Sequence, residues 1–221
     1  DYIATVLGMV YADSDFRDIL STQNLYTYTG SNQNIAPYSA NDNQHYQDIE
    51  AANINIAEAL RNNEFTAISQ QTLANLPAEG ISGVLTSRAA AKEFFVAGTN
   101  RAMFRFTMLN HMCLDLEEVQ DGTRAPDRIR QDISRSPGGD SRIYMNNCIT
   151  CHDGMDPMAG AFAYYNFNTS SGRIEYTQDN VQDKYTQNSD NFPFGYVTID
   201  DSWINYWRDG PNQWLGWENG L

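Results

Sequence analysis

Cys148, Cys151 and His152 stand together, with Ile149 and Thr150 between the cysteines. Two thiols three residues apart, followed at once by an imidazole, form the spacing of covalent haem attachment. The thiols reach vinyl groups at one edge of the ring, and the adjacent imidazole swings beneath its face to the iron. With three cysteines and three histidines in 221 residues, a random meeting of this pattern has odds of roughly one in two thousand. The expected cofactor is therefore one covalent haem c, with Cys148, Cys151 and His152 binding it and His152 supplying the first axial nitrogen.

Two rival chemistries use the same cysteines. Zinc accepts a set such as His111, Cys113, Cys148 and Cys151. That set leaves His152 unexplained, and residues 111 and 113 diverge on a helix because neighbours on one face are three or four apart. A redox disulfide between Cys148 and Cys151 is the other. Cys113 itself reads as a buried apolar thiol, or as a partner for a cysteine elsewhere.

The second axial ligand decides what the iron could do. Two imidazoles suit a closed electron carrier of low potential, His and Met a higher potential, and an open site binds a small molecule. His45, at the start of a helix and beside Tyr46, is the first candidate, with His111, Met158 and no ligand as alternatives. Met155 follows His152 too closely to reach the opposite face, and is expected to pack under the ring. Arg101 and Arg105 lie one helical turn apart, so both could meet the haem propionates. The competing role for this pair is salt bridges to Asp115, Glu117 or Asp121. Asp156 and Asn100 read as residues that fix loops.

The elements that must position these groups are mostly helical. Apolar residues recur at helical spacing over residues 1–20, with Ser14 capping a second short helix, and over 45–62 as one amphipathic helix. Residues 21–43 read as an extended loop. Helices are expected over 85–95, 102–116 and 124–134, with a break at 136–139, and Asp140 caps a short helix that carries the motif. Beyond Phe167 the chain turns strand-like and irregular, and it holds all four tryptophans. This predicts a mainly α, cytochrome c-like helical haem-binding domain over 1–167, with long loops. A loop-rich, acidic, Trp- and Tyr-rich region over 168–221 packs on it.

The run from Cys148 through His152, Asp156-Pro157, Phe162 and Tyr165-Asn166 to Gly172-Arg173 resembles the cytochrome-like proteins abundant in planctomycetes and other environmental bacteria. Those carry the same motif, an Asp-Pro pair just beyond it, an aromatic step and then Gly and Arg. Residues 83–86, 98–101 and 45–46 follow that family's order of elements, so the likeness spans about residues 10 to 175. Ala163 stands where the family has Glu, and Asn166 where it has Asp. The resemblance implies a haem c domain with a redox role and names no substrate.

Composition narrows the function. Twenty-eight acidic residues against fourteen basic ones give a net charge of -14, which disfavours binding to nucleic-acid phosphates. No apolar run approaches the roughly 20 residues of a membrane span. Nine of the fourteen basic residues fall within residues 88–142, near the expected haem. The reading that follows is a monohaem electron carrier that meets redox partner proteins, with self-assembly into an oligomer or filament as an extension. A haem enzyme or sensor with an open sixth site and a zinc-stabilised interaction domain are the alternatives. Haem attachment takes place on exported protein, so the expected location is periplasmic or extracellular. The absence of a signal segment before Asp1 is read as removal or trimming.

Overall fold

The computed structural model describes residues 1–96, 98–124, 140–185 and 195–217. The helix expected over 124–134 lies outside them beyond Arg124, as do the break at 136–139 and residues 192–194. Among the described residues the fold is mixed: short α-helices and 3-10 turns accompany two two-stranded sheets. Two compact units divide it, residues Asp1–Val96 with Asn166–Tyr176, and Ala97–Tyr165 with Thr177–Leu221. Where one division was expected after residue 167, the chain passes between the units after residues 96, 165 and 176.

In the first unit, Asp1 caps α1 (Tyr2–Tyr11), its carboxylate accepting from the Tyr2 N–H at 2.8 Å. The strands β1 (Asn24–Tyr28) and β2 (Phe65–Ser69) pair antiparallel, in a register that sets Asn24 opposite Ser69 and Tyr28 opposite Phe65. Gly8 of α1 lies against the Tyr26 ring, where any Cβ would overlap it. The stretch expected as one helix is two, α2 (Gln44–Ala51) and α3 (Ile56–Arg61). Asn53 interrupts them at φ 51°, and the Asn55 side chain caps the second from the Glu58 N–H. Asparagine tolerates this left-handed backbone and offers a local acceptor, so it ends helices despite an unbroken apolar stripe.

Ala4, Tyr28, Ile49, Ala59, Leu60 and Phe65 form one apolar core, and Met9, Ile19 and Val84 another. The short α4 (Gln70–Ala74) and α5 (Arg88–Phe94) complete the unit, together with the pair β3 (Tyr165–Asn168) and β4 (Arg173–Tyr176). This pair belongs there because backbone and guanidinium bonds hold it: Phe167 N–H to Phe95 O at 3.1 Å, Arg88 to Gly172 O at 2.8 Å, and Arg173 to Ala74 O at 2.7 Å.

The second unit carries α6 (Arg101–Thr107), a π-helical turn Met108–Met112, α7 (Ser141–Asn147) and α8 (Ile149–Met158). Phe104, Met108, Leu116, Val119, Met155, Ala159 and Trp207 make its core. Trp207 is fully buried over Gly154, where a side chain would strike the indole.

Gly83 sits at φ 51°, with the backbone of Ile19 and Leu20 where a Cβ would be. Gly83→Ala is expected to lower stability by about 2 kcal/mol or more, read from urea unfolding.

Candidate functional site

The motif rides on a helix pair. Asp140 accepts from the Arg142 N–H at 2.8 Å and starts α7, and Cys148, at φ -111° and ψ -24°, links α7 to α8. Helical spacing then places Cys148, Cys151, His152 and Met155 on one face of α8, with Asp156 one turn beyond His152. Cys148 and Cys151 are half-buried, unpaired thiols. The Cys151 thiol points to Leu116 O at 3.8 Å and packs at the edge of the apolar core. Burial pushes its pKa up, against a hydrogen bond from Thr150 that lowers it.

His152 is held from one side. Its Nδ1 lies 3.1 Å from Asp156 Oδ1, and an ionised carboxylate only accepts, so Nδ1 carries the proton. No hydrogen bond to Nε2 occurs among the described residues. Asp156 also binds Arg101 in fork geometry, Nε to Oδ1 at 2.7 Å and Nη2 to Oδ2 at 3.0 Å. Side-chain exposure is 24% for His152, 22% for Arg101 and 2% for Asp156. Burial alone would raise the Asp156 pKa, but the Arg101 charge, His152 and their hydrogen bonds outweigh it and hold the carboxyl well below the ordinary range. Tyr144 of α7, also buried, stands edge-on to the His152 ring at 5.2 Å.

Arg101 is brought there by the start of α6. Asn100, fully buried at φ 57°, donates to Phe162 O at 2.7 Å and Tyr165 O at 2.9 Å, and accepts from Lys184 Nζ at 2.7 Å. Phe104 and Met108 of the following turns meet Met155 in the core, which sets α6 against α8.

The other predicted site residues are placed differently. His45 is 2% exposed. Its Nε2 accepts from the Tyr28 N–H at 3.1 Å, and its Nδ1 donates to Ala36 O at 2.6 Å. Both ring nitrogens are occupied by backbone, no lone pair is left for iron, and the axial role expected for His45 is withdrawn. Arg101 and Arg105 diverge from the expected propionate pair: Arg101 grips Asp156, and Arg105 grips Asp115 through two bonds of 3.0 and 2.8 Å. The competing salt bridge to Asp115 is the one observed for Arg105. Met155, 4% exposed, is a core residue beside Trp207.

Met158 shares α8 with His152, about 9 Å away along the axis, so the two cannot face each other across a ring. With Met108, Met112 and Trp203 it lines an apolar cavity of about 380 Å³, which neither the motif cysteines nor His152 line. His111 is half-buried against Phe106 at 5.9 Å, and burial lowers its pKa. Cys113 is exposed at φ 56°, where the π-helical turn ends, rather than buried. No group of three or more His, Cys, Asp or Glu poised for a metal ion occurs among the described residues. The zinc set of His111, Cys113, Cys148 and Cys151 is therefore not assembled.

Tyr144 is the site residue that sequence reasoning passed over, and Asp156 was read only as a residue that fixes a loop. Asp156 had a readable signal, its place four residues after His152 on a helix. Tyr144 had none beyond lying two turns upstream.

No family model, curated protein or solved structure matches the chain. No helix among the described residues is long and apolar enough to cross a membrane.

Arg101→Met leaves Asp156 buried without its cation and is expected to cost roughly 3–5 kcal/mol, measured by urea unfolding. His45→Ala, which orphans the Tyr28 N–H, is expected to cost about 2 kcal/mol. Burial lowers the His45 pKa despite the Ala36 bond, so the unfolded chain takes the proton first. Its contribution is full above about pH 6.5 and is lost as pH falls through the lower folded value, so the gap between wild type and His45→Ala should narrow in acid.

Proposed function

We propose that Cys148, Cys151 and His152 hold one covalent haem c, and that the chain is a monohaem electron carrier working in the periplasm or outside the cell. The observation that carries this reading is the setting of His152. Its Nδ1 proton is tied to Asp156, so Nε2 is the nitrogen with a lone pair to offer. Two unpaired thiols stand on the same helical face within four residues. The donor set fits haem c, whose attachment uses two cysteines and a following histidine at this spacing. When bound, the haem supplies reversible one-electron chemistry.

The chain's own residues do the rest. The two thiols tether, His152 is oriented by Asp156 and Tyr144, and the core beside Cys151 excludes water from that flank. The family resemblance and a cytochrome c-like helical domain belong to the same proposal and rest on the motif and its surroundings. So does contact with redox partner proteins, or with further copies of the chain in a filament. The exposed Trp214 and Ile199 offer apolar surface for it.

A second reading, a haem with an exchangeable sixth position, is favoured by His45 having both nitrogens engaged and by Met158 lying beside rather than opposite His152. Expression with a haem c maturation system separates the readings. The carrier predicts a low-spin spectrum in both oxidation states that carbon monoxide leaves unchanged. A high-spin ferrous form that binds carbon monoxide supports the second reading. Wild type without a Soret band, or a Cys148→Ala, Cys151→Ala double variant that keeps haem through acid extraction, contradicts both.

A further inference from the structure

Resting on the haem reading, we infer that Asp156 sets the reduction potential of the site by acting through His152, as a positioning residue that does not itself touch the iron.

An imidazole bound to a metal through one nitrogen is tuned by what its other nitrogen meets, and a carboxylate makes it a stronger donor than a neutral acceptor would. Asp156 is such an acceptor, 3.1 Å from Nδ1 and 2% exposed. Burial keeps water from competing for that bond and lengthens the reach of its charge. A full negative charge drawing on the Nδ1 proton places more electron density on the ring, which favours the more positive, oxidised iron.

Arg101 defines how strongly this acts. Its fork takes both Asp156 oxygens at 2.7 and 3.0 Å, so the carboxylate cannot rotate away from His152 and part of its charge is shared. Tyr144 packs edge-on against the imidazole. The hydrogen bond spans one turn of a continuous helix, so its length follows from backbone geometry rather than from a mobile loop. None of these groups is needed to attach haem, and a structural ion pair would not need the histidine.

The test compares wild type, Asp156→Asn and Asp156→Glu, each matured with haem. Redox titration is run on each. Asp156→Asn keeps a neutral acceptor and is expected to shift the balance at least tenfold toward the reduced form at fixed solution potential, a rise of about 59 mV for one electron. Asp156→Glu should recover most of that change. A folded, haem-loaded Asp156→Asn with unaltered potential overturns the inference while leaving the haem reading intact. Wild type that takes up no haem overturns both. Should the variants not fold, nitrogen-15 NMR of wild type without haem decides: His152 as the Nδ1–H tautomer supports the inference, and the Nε2–H tautomer overturns it.

Discussion

A carboxylate removed from water must have its charge met, and Asp156 is the buried charge around which the second unit is arranged. Arg101 satisfies it from α6 and His152 from its own helix, at 2.7 to 3.1 Å. Removing Arg101 leaves an ion in a low-dielectric surround, a far larger penalty than the pair's net contribution. The ion pair therefore demands a particular register of α6 on α8. The apolar contacts of Phe104 and Met108 with Met155 supply the same register independently. Local helix geometry, packing and electrostatics agree, and the imidazole is held as a consequence.

The tryptophans near the end of the chain complete that arrangement. Trp207 is wholly buried on Gly154, one turn before Pro157 inside α8. Asn205 turns the chain by accepting from the Trp207 N–H at 3.0 Å, and the buried Asn212 donates to Val119 O at 2.8 Å. A region with little regular structure thus closes the core beneath the motif helix. Its asparagines satisfy backbone groups that strands or helices would otherwise pair.

Much of this is legible in the chain, for reasons that can be named. The Asp140 cap and the helical stripe of α1 are local signals, and α1 and α7 begin where local chemistry places them, but the short helix expected to run from Asp140 through the motif is two, α7 and α8, split at Cys148. The strand pair β1 and β2 was hidden because Leu25, Thr27 and Phe65 alternate over only five residues each, within polar surroundings. Asn53 and Asn55 divided a helix whose apolar periodicity continues through them, because side-chain acceptors compete with the ladder. His45 was legible as a helix-start histidine beside an aromatic residue. Its partners, Tyr28 and Ala36, come from a strand and a loop that periodicity does not reveal. The pairing of Arg101 with Asp156 spans 55 residues, and only the packing of α6 on α8 creates it.

The central claim is that Cys148, Cys151 and His152 hold one haem. It is tested most directly by mass spectrometry of the chain matured in a host that attaches haem c, followed by trypsin digestion. Cleavage after Arg142 and Arg173 releases residues 143–173 as one peptide containing both motif cysteines and no other. This peptide is expected to carry the mass of one haem through two thioether bonds, with Cys113 still alkylatable elsewhere. The bare peptide, with both thiols open to alkylation, would contradict it.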